Sequence, residues 1–441
     1  MEHHSKFPDF PIEIIERIID DLENDIAALK AVSETCHALL PICRKHLFRS
    51  IDLSPRGPLS LKNLSQLLRY NPDIGLYVRE LKLYLNESLD RWDPSKQDPY
   101  ADNILSLSQV RFLESLQIVG AKSVLHFSCT LWNALHPLLR QPILDRMYSP
   151  SLTELNITRF IVPFAIFRSC ANLSILTIKE MVDYKSGEGP FDHLEVLSHP
   201  IPQLRSFTVL DAWSHRYASA LVQFRGSDGH PTIKFDKLKT LAVHCYYFQD
   251  VQAIKDISTV AGELETFAYK ANTPEGCYGL AGWINVSAFS TLTTLKVMYD
   301  VMSWSHSEVP LKGLCHELGL FPRNNVLEVL EVEVDMSIVL ESTREEQWGR
   351  LDSVLSRGFS RLRRVAVGVI FQDTMGLPKI AQLQQCEEIS RTHFPCLREN
   401  AAVELDFSAR SKYLISSSQN RTEIAKNHSK RFPVKFAAVR N

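Results

Sequence analysis

The densest group of reactive side-chain types in the sequence is Gly226-Ser-Asp-Gly-His230, which contains a nucleophile, an acid and a base. In a hydrolase these groups meet through the fold, so adjacency alone does not make a triad. Gly-Ser-Asp-Gly is also common turn sequence, because glycine and aspartate favour tight turns. We therefore interpret this run as a turn, within a loop expected over residues 214–234, and Ser303-Trp304-Ser305-His306 as a loop.

Three possible metal ligands occur near the C-terminal end of the chain, at Cys386, His393 and Cys396. Their spacing fits no common zinc pattern, and no fourth ligand is evident. We interpret them as buried thiols and a surface histidine. The nine cysteines include no Cys-x-x-Cys pair, which favours reduced thiols. We expect no metal and no cofactor.

The motifs of the commonest enzyme classes are missing from the sequence. It contains no Gly-x-Ser-x-Gly, no His-Glu-x-x-His, no phosphate-binding Gly-x-x-x-x-Gly-Lys and no Gly-x-Gly-x-x-Gly. We expect a protein that is not an enzyme and has no catalytic residues. We expect four tryptophans to fill gaps between structural repeats: Trp132, Trp213, Trp283 and Trp348.

The charge balance argues against a polyanionic partner. The 441 residues include 49 basic and 51 acidic side chains, a net charge of −2, so neither nucleic acid nor a membrane surface is expected to bind. The opening MEHHSKFPDF lacks the apolar run of a secretory signal. The apolar stretch from Ile161 to Phe167 is too short to span a bilayer. We expect a location in the cytoplasm or nucleus.

The first element of the chain is predicted to be a group of short helices over residues 7–50. Pro11 suits the first helical position, since its missing N–H has no intrahelical partner there. On a helical wheel the apolar residues between positions 12 and 22 form one arc of roughly 160°, wider than the stripe of about 100° that one neighbour covers. Part of this surface could therefore serve a partner. The alternative is that it forms only the core of a small helical domain.

This segment resembles an F-box of the kind common in fungal proteins. The resemblance rests on Phe10-Pro11-Ile12-Glu13-Ile14, on Ile18, Leu22, Leu29, Ser33 and Cys36, and on Arg44-Lys45-His46-Leu47-Phe48-Arg49-Ser50-Ile51. It implies docking on a Skp-family adaptor and through it on a cullin-RING ubiquitin ligase. The adaptor-binding residues that it implies are Phe10, Pro11, Ile14, Ile18, Leu22, Leu29 and Val32.

A different pattern follows the helices and recurs ten times. The form apolar-x-x-apolar-x-apolar first appears at Val78-Leu81-Leu83 and last at Leu362-Val365-Val367, at a mean spacing near 32 residues. The alternation predicts strands, and intervening stretches such as Val251, Ile254, Ile257 and Val260 have helical spacing. Ile51 and Leu53 are expected to supply an opening strand. Repetition of a strand and a helix predicts a solenoid, and the alternative is a set of unrelated α/β units.

This region resembles the irregular leucine-rich repeats found behind fungal F-boxes. The resemblance implies an α/β fold with a curved parallel sheet and helices on its outer face. We divide the chain into an F-box at 7–50, a leucine-rich-repeat-like solenoid at 51–407 and a basic, disordered tail at 408–441. Only four turns carry or approximate the family's asparagine: Asn86, Asn272, Asp300 and Asp335. We therefore expect irregular turns.

The strand residues that alternate with the core positions should form an exposed sheet face. Hydroxyl, basic and acidic side chains follow one another along it, a pattern that could recognise a protein by complementary charge. The candidate substrate-binding residues are Asn156, Thr177, Thr208, His244, Lys270, Lys296, Glu331 and Glu333. The alternative is an ordinary solvated face without a ligand, since a fold does not fix what binds it.

The sequence therefore predicts the substrate-recognition subunit of a Skp–cullin–F-box ubiquitin ligase. Its N-terminal helices would bind the adaptor, and its repeats would bind a protein target for degradation. The alternative is a non-enzymatic repeat scaffold whose F-box-like helices deliver no substrate.

Overall fold

The computed structural model describes residues 11–53, 61–85, 106–120, 130–132, 135, 137–181, 200–210, 214–245, 250–271, 279–299, 310–336, 345–372, 379–412 and 433–434. The chain divides into an N-terminal unit, residues 1–202 with 225–232, and a C-terminal unit, residues 203–224 with 233–441.

Helices and strands alternate along most of the described chain. The α-helices are α1 (Ile12–Asp20), α2 (Ile26–Thr35), α3 (Leu40–Leu47), α4 (Leu61–Tyr70), α5 (Pro137–Met147), α6 (Phe164–Arg168), α7 (Ser214–Gln223), α8 (Asp250–Val260), α9 (Leu280–Trp283), α10 (Pro310–Gly319), α11 (Glu345–Gly358), α12 (Lys379–His393) and α13 (Pro395–Glu399). The strands are β1 (Ser50–Asp52), β2 (Glu80–Tyr84), β3 (Ser115–Val119), β4 (Thr130–Leu131), β5 (Glu154–Thr158), β6 (Phe160–Ile161), β7 (Ile175–Lys179), β8 (Ser206–Leu210), β9 (Thr240–Cys245), β10 (Thr266–Ala271), β11 (Thr294–Tyr299), β12 (Val329–Met336), β13 (Arg364–Gln372), β14 (Glu404–Lys412) and β15 (Pro433–Val434).

Helices α1 to α3 pack around a small apolar core. The buried members of this core are Ile19, Leu29, Leu39, Ile42 and Cys43. Asp25 begins α2 as its N-cap, because its Oδ1 accepts the Ala28 N–H at 2.9 Å. Pro11 lies one position before α1, where its carbonyl accepts the N–H of Ile14 at 3.0 Å.

The main sheet of the N-terminal unit is parallel. Its order is β1-β2-β3-β5-β7, while β4 and β6 pair separately. The repeated apolar positions lie in register across it, for example Leu81 opposite Leu116. The predicted opening strand is confirmed, since Ile51 of β1 pairs with Leu81.

The sheet of the C-terminal unit is also parallel and follows chain order from β8 to β14. Phe207 of β8 is the first residue of a buried row that crosses the sheet, and the same row continues at Leu241 and Phe267. β15 adds an antiparallel pair at the free edge of β14. Each unit is thus α/β with a parallel sheet, which is consistent with a solenoid.

A backbone ladder joins successive turns where the chain enters each sheet. The carbonyl of the residue before a strand accepts two N–H groups from the next turn, at 2.7–3.0 Å. In the described turns this holds for Arg49, Arg79, Glu114, Thr153, Arg205, Lys239, Glu265, Thr293 and Glu328. This ladder lies where the strands begin, whereas the irregular turns are expected where the strands end. Asp335 lies within β12 opposite Ile370, while Asn86, Asn272 and Asp300 fall outside the described residues.

The helices bury their apolar faces as the sequence predicts in most places. Ile254 and Ile257 of α8 are buried, which confirms the helix, whereas Val260 at its last position is 47% exposed. Trp132, Trp283 and Trp348 are buried beside other aromatic rings, as expected, and Trp213 falls outside the described residues. Among the described helices, none has the length and apolar character that crossing a membrane requires.

Two boundaries differ from the sequence-based expectation. The segment 214–223, predicted as part of a loop, is helix α7, and it buries Tyr217 and Leu221. Strand β14 continues past the expected end of the repeats at 407 to Lys412, because its backbone pairs with β13 along its whole length.

Candidate functional site

Helix α1 has one packed face and one exposed apolar face. Ile19 is buried and Ile15 packs against the same core. Ile14 and Ile18, one helical turn apart, share a different face, and they are 47% and 57% exposed. The wide apolar arc seen in the sequence is therefore only partly covered in this chain. Ile14 and Ile18 form what we call the α1 ridge.

The other predicted adaptor-binding residues are placed unequally. Pro11 is exposed at the start of the ridge, and Leu22 and Val32 are partly buried against the helical core. Leu29 is 0% exposed, so it offers no surface to an adaptor in this structure. Its position on α2 places it against α1 and α3, where it supports the helices that carry the ridge. Phe10 lies outside the described residues.

Polar contacts fix the last turn of α1 against α3. Asp20 Oδ1 lies 2.8 Å from His46 Nε2 and 3.8 Å from Lys45 Nζ. The His46 side chain is almost fully buried. The orientation of α1, and with it the direction in which the ridge faces, is therefore set by both apolar packing and an ionic contact.

The second candidate surface is the polar face of the two sheets. In the N-terminal unit, Asn156 of β5 lies opposite Thr177 of β7, and Asn156 Oδ1 accepts the Thr158 hydroxyl at 3.4 Å. The two predicted residues Asn156 and Thr177 therefore share one sheet face. The remaining six belong to the C-terminal unit.

The polar face of the C-terminal unit forms an open groove of about 690 Å³. Five of the predicted residues line it: His244, Lys270, Lys296, Glu331 and Glu333. Thr208 lies on the same sheet, opposite Ala242, but it is not among the residues that line the groove. The residue of β8 that lines it is Leu210. The strand register explains the grouping, since His244 pairs with Lys270, and Lys296 pairs with Glu331.

Charges of both signs line the groove. The cations Lys270, Lys296 and Arg364 come from β10, β11 and β13, and the carboxylates Glu331, Glu333 and Asp406 come from β12 and β14. Two ion pairs cross between strands: Lys296 Nζ is 2.8 Å from Glu331 Oε2, and Arg364 Nη2 is 3.2 Å from Asp406 Oδ2. Both pairs are partly exposed, so each contributes at most about 1 kcal/mol to stability.

The groove lining includes residues that were not predicted as site residues, among them Met298, Gly368, Asp406 and Ser408. Asp406 and Ser408 lie on β14, whose repeat begins with Ala402 and so lacks the large apolar residue of the other ten. Leu405 and Phe407 on that strand have the apolar-x-apolar spacing of the other repeats, and this pair could have predicted an eleventh strand.

The reactive groups singled out in the sequence are engaged in structural contacts. Asp228 contacts the buried Arg168 guanidinium and accepts the His230 N–H at 3.0 Å, so the glycine-rich run is a turn, as predicted. Burial raises the pKa of Cys386 to about 12, whereas Cys396 is exposed. Across the residues that the structure describes, no group of three metal-ligating side chains comes together. Ser303 and His306 fall outside them.

Two buried carboxylates of the C-terminal unit also serve as helix caps. Glu317 accepts the N–H groups of Gly279 and Ala281 at 2.8 and 2.9 Å, at the start of α9. Asp352 accepts those of Cys396 and Leu397 at 3.0 and 2.9 Å, at the start of α13. Each carboxylate thus satisfies donors that a helix start leaves without partners.

Comparison with known protein families found no matching family, and a search of curated proteins found no match either.

Proposed function

We propose that this protein is the non-catalytic substrate-recognition subunit of a Skp–cullin–F-box ubiquitin ligase. The α1 ridge would bind the Skp-family adaptor, and the groove of the C-terminal unit would bind a protein target. The observation that carries the proposal is the exposure of Ile14 and Ile18 on a helix whose other face is packed and held in place.

The energetics of the ridge suit a docking role. Complete burial of an isoleucine contributes about 1.5–3 kcal/mol, and roughly half of each ridge side chain is still exposed. Ile14 and Ile18 would therefore contribute about 2 kcal/mol together. Pro11 and the partly buried Leu22 and Val32 can add to this on contact, which helps to offset the entropic cost of association.

The groove suits the second role because it combines small side chains with both signs of charge. Ala242, Ala268 and Ala366 leave space above the strands, while Lys270 and Glu333 offer opposite charges. Complementary charges select a protein partner more than they strengthen its binding. Tethering the target beside the ligase then raises its effective concentration at the ubiquitin-transferring subunits.

The adaptor assignment is tested with the full-length tagged chain, recovered from extracts of its source cells. Combined Ile14→Asp and Ile18→Asp substitutions should reduce recovery of adaptor and cullin at least about tenfold, because each new carboxylate would be buried without a partner. Urea unfolding should remain close to wild type, since both positions are exposed.

The matched control is Val286→Asp, which introduces the same charge at an apolar residue that is 85% exposed in the C-terminal unit. It should leave adaptor and cullin recovery unchanged. Undiminished adaptor recovery by the Ile14→Asp, Ile18→Asp chain would refute the docking assignment.

A further inference from the structure

The sheet of the C-terminal unit has a largely open edge at strand β14. One edge of this strand pairs with β13 over its whole length. The other edge is paired, among the described residues, at Phe407 and Ser408, which lie opposite Val434 and Pro433 of β15. An open strand edge carries N–H and C=O groups that can pair with another extended chain.

The buried apolar row of this sheet is also incomplete at β14. Its members on the strands from β8 to β13 are 0% exposed, including Leu330 and Val365. Leu405 continues the row on β14, opposite Val365, but it is partly exposed. A further strand beside Leu405 would therefore remove apolar surface from water.

The register of β15 identifies the residues that fit this place. The pairing is antiparallel, with Val434 opposite the buried Phe407. Continued in the same register, it would place Phe436 opposite Leu405. Phe432, Val434 and Phe436 alternate along the sequence, so all three would face the buried side of the sheet.

The charged residues of the same segment agree with this register. Lys435 would face Asp406, whose carboxylate also contacts Arg364. At the other end Arg431 would face Arg410, and like charges directly opposite each other destabilise a strand pair. The favourable pairing therefore ends before Arg431.

Pro433 gives the segment the character of a final strand. Neighbouring pairs in an antiparallel ladder alternate between pairs that exchange hydrogen bonds and pairs whose amides point outwards. Since proline has no N–H, Pro433 and Ser408 suit a pair of the second kind, which leaves Val434 and Phe407 as a pair of the first kind. The missing donor would thus lie on the new outer edge, where proline hinders the addition of a further strand.

We propose that residues 432–436, which we call the cap strand, pair with the outer edge of β14 and close the repeat sheet. The cap strand would cover Leu405 and occupy edge groups that another chain could otherwise bind. The 20 residues between Lys412 and Pro433 are more than the reversal of direction requires. For these five residues the proposal replaces the disordered tail expected from the sequence, and it is independent of the proposed ligase function.

Disulfide trapping in the full-length chain tests this register. Residues in a pair whose amides point outwards have Cα atoms about 4.5 Å apart, within the range of a disulfide. Asp406 and Lys435 would form such a pair, so the Asp406→Cys, Lys435→Cys chain should form a disulfide within one molecule. The matched control is Asp406→Cys with Ala437→Cys, a diagonal pair about 7–8 Å apart, which should cross-link at least about tenfold more slowly.

Val434→Pro provides an independent check, because it removes the N–H that would donate to Phe407. Added to the Asp406→Cys, Lys435→Cys chain, it should lower the cross-linking rate to that of the control. Val434→Thr, which keeps the N–H and a β-branched side chain, should leave the rate high. Peptide mass spectrometry distinguishes the introduced bond from disulfides of the native cysteines, and thermal unfolding verifies that each variant keeps its fold.

Three results would overturn the proposal. Equal rates for the two cysteine pairs would mean that the tail has no preferred register on β14. Fast cross-linking that persists with Val434→Pro would mean that backbone pairing does not hold the segment. A disulfide between two molecules, seen as a dimer on a non-reducing gel, would assign the β14 edge to a second copy of the chain.

Discussion

Asp228 shows how a residue with catalytic chemistry can serve a structural contact. Its carboxylate contacts the guanidinium of Arg168, which is 8% exposed, and also accepts the His230 N–H. Gly226 makes the approach possible, because a Cβ there would lie 3.0 Å from Arg168 Nη1. The turn therefore neutralises a buried cation that would otherwise be costly to desolvate.

This contact predicts a specific pH dependence of stability. The Arg168 guanidinium, and next the His230 N–H, hold the pKa of Asp228 well below its usual range. The folded pKa lies below the unfolded value near 4, so the stabilisation is complete above about pH 5 and declines as the pH falls toward the folded pKa. Asp228→Asn should therefore lower the urea midpoint at pH 7, and its difference from wild type should shrink below about pH 4.

The appropriate control for this measurement is Asp236→Asn, at an exposed position. It should leave the urea midpoint nearly unchanged across the same pH range. If the difference between Asp228→Asn and wild type stayed constant from pH 7 to pH 3, the ion pair would not be its source.

At the scale of elements, the strands were predictable and the backbone ladder at their starts was not. Leu81, Leu116 and their counterparts mark the strands, because burial of one sheet face requires alternating apolar residues. The turns are joined by main-chain carbonyls of residues as different as Arg49, Glu114 and Thr293. A bond made by the backbone leaves no signature in side-chain type, so this ladder could not be predicted from the sequence.

The helices and the groove show a second limit of sequence patterns. Helix α7 was predicted as a loop because glycine-rich turn residues follow it, although Tyr217 and Leu221 have helical spacing. The end of the groove at β14 was missed because Ala402 stands where the other repeats carry a large apolar residue. Leu405 and Phe407 nevertheless keep the register of Val365 and Val367.

Side chains reinforce the backbone ladder at a few turns, and Asn325 is the most buried example. Its Nδ2 donates to the Pro322 carbonyl at 2.7 Å and to the Gly358 carbonyl of the next turn at 3.1 Å, and its Oδ1 accepts the Leu327 N–H at 3.3 Å. Asn325→Ala should destabilise the protein by about 1–3 kcal/mol, because it leaves buried polar groups without partners. Chemical denaturation would measure the loss.

Asn172 provides the matched comparison, since its Nδ2 also donates to a neighbouring turn, at the Pro150 carbonyl, but its side chain is exposed. Asn172→Ala should cost less than about 1 kcal/mol, because water can replace the lost bond. Equal losses for the two variants would show that burial does not control the strength of these inter-turn bonds.

At the scale of the whole molecule, the two proposed binding functions belong to different units. The α1 ridge is in the N-terminal unit, and the groove is in the C-terminal unit. Substitutions at Ile14 and Ile18 should therefore leave target binding intact while removing the ligase. A chain of this kind would still occupy targets without delivering them.

This separation predicts the effect of the altered chain in cells. Overexpression of the full-length Ile14→Asp, Ile18→Asp chain beside the wild type should lengthen the half-lives of the proteins that co-purify with both, because bound targets are kept away from the ligase. Pulse-labelling and quantitative mass spectrometry would measure those half-lives. Val286→Asp, expressed to the same level, should not lengthen them. If captured proteins turned over at the same rate in every case, the chain would be a scaffold that binds partners without directing their degradation.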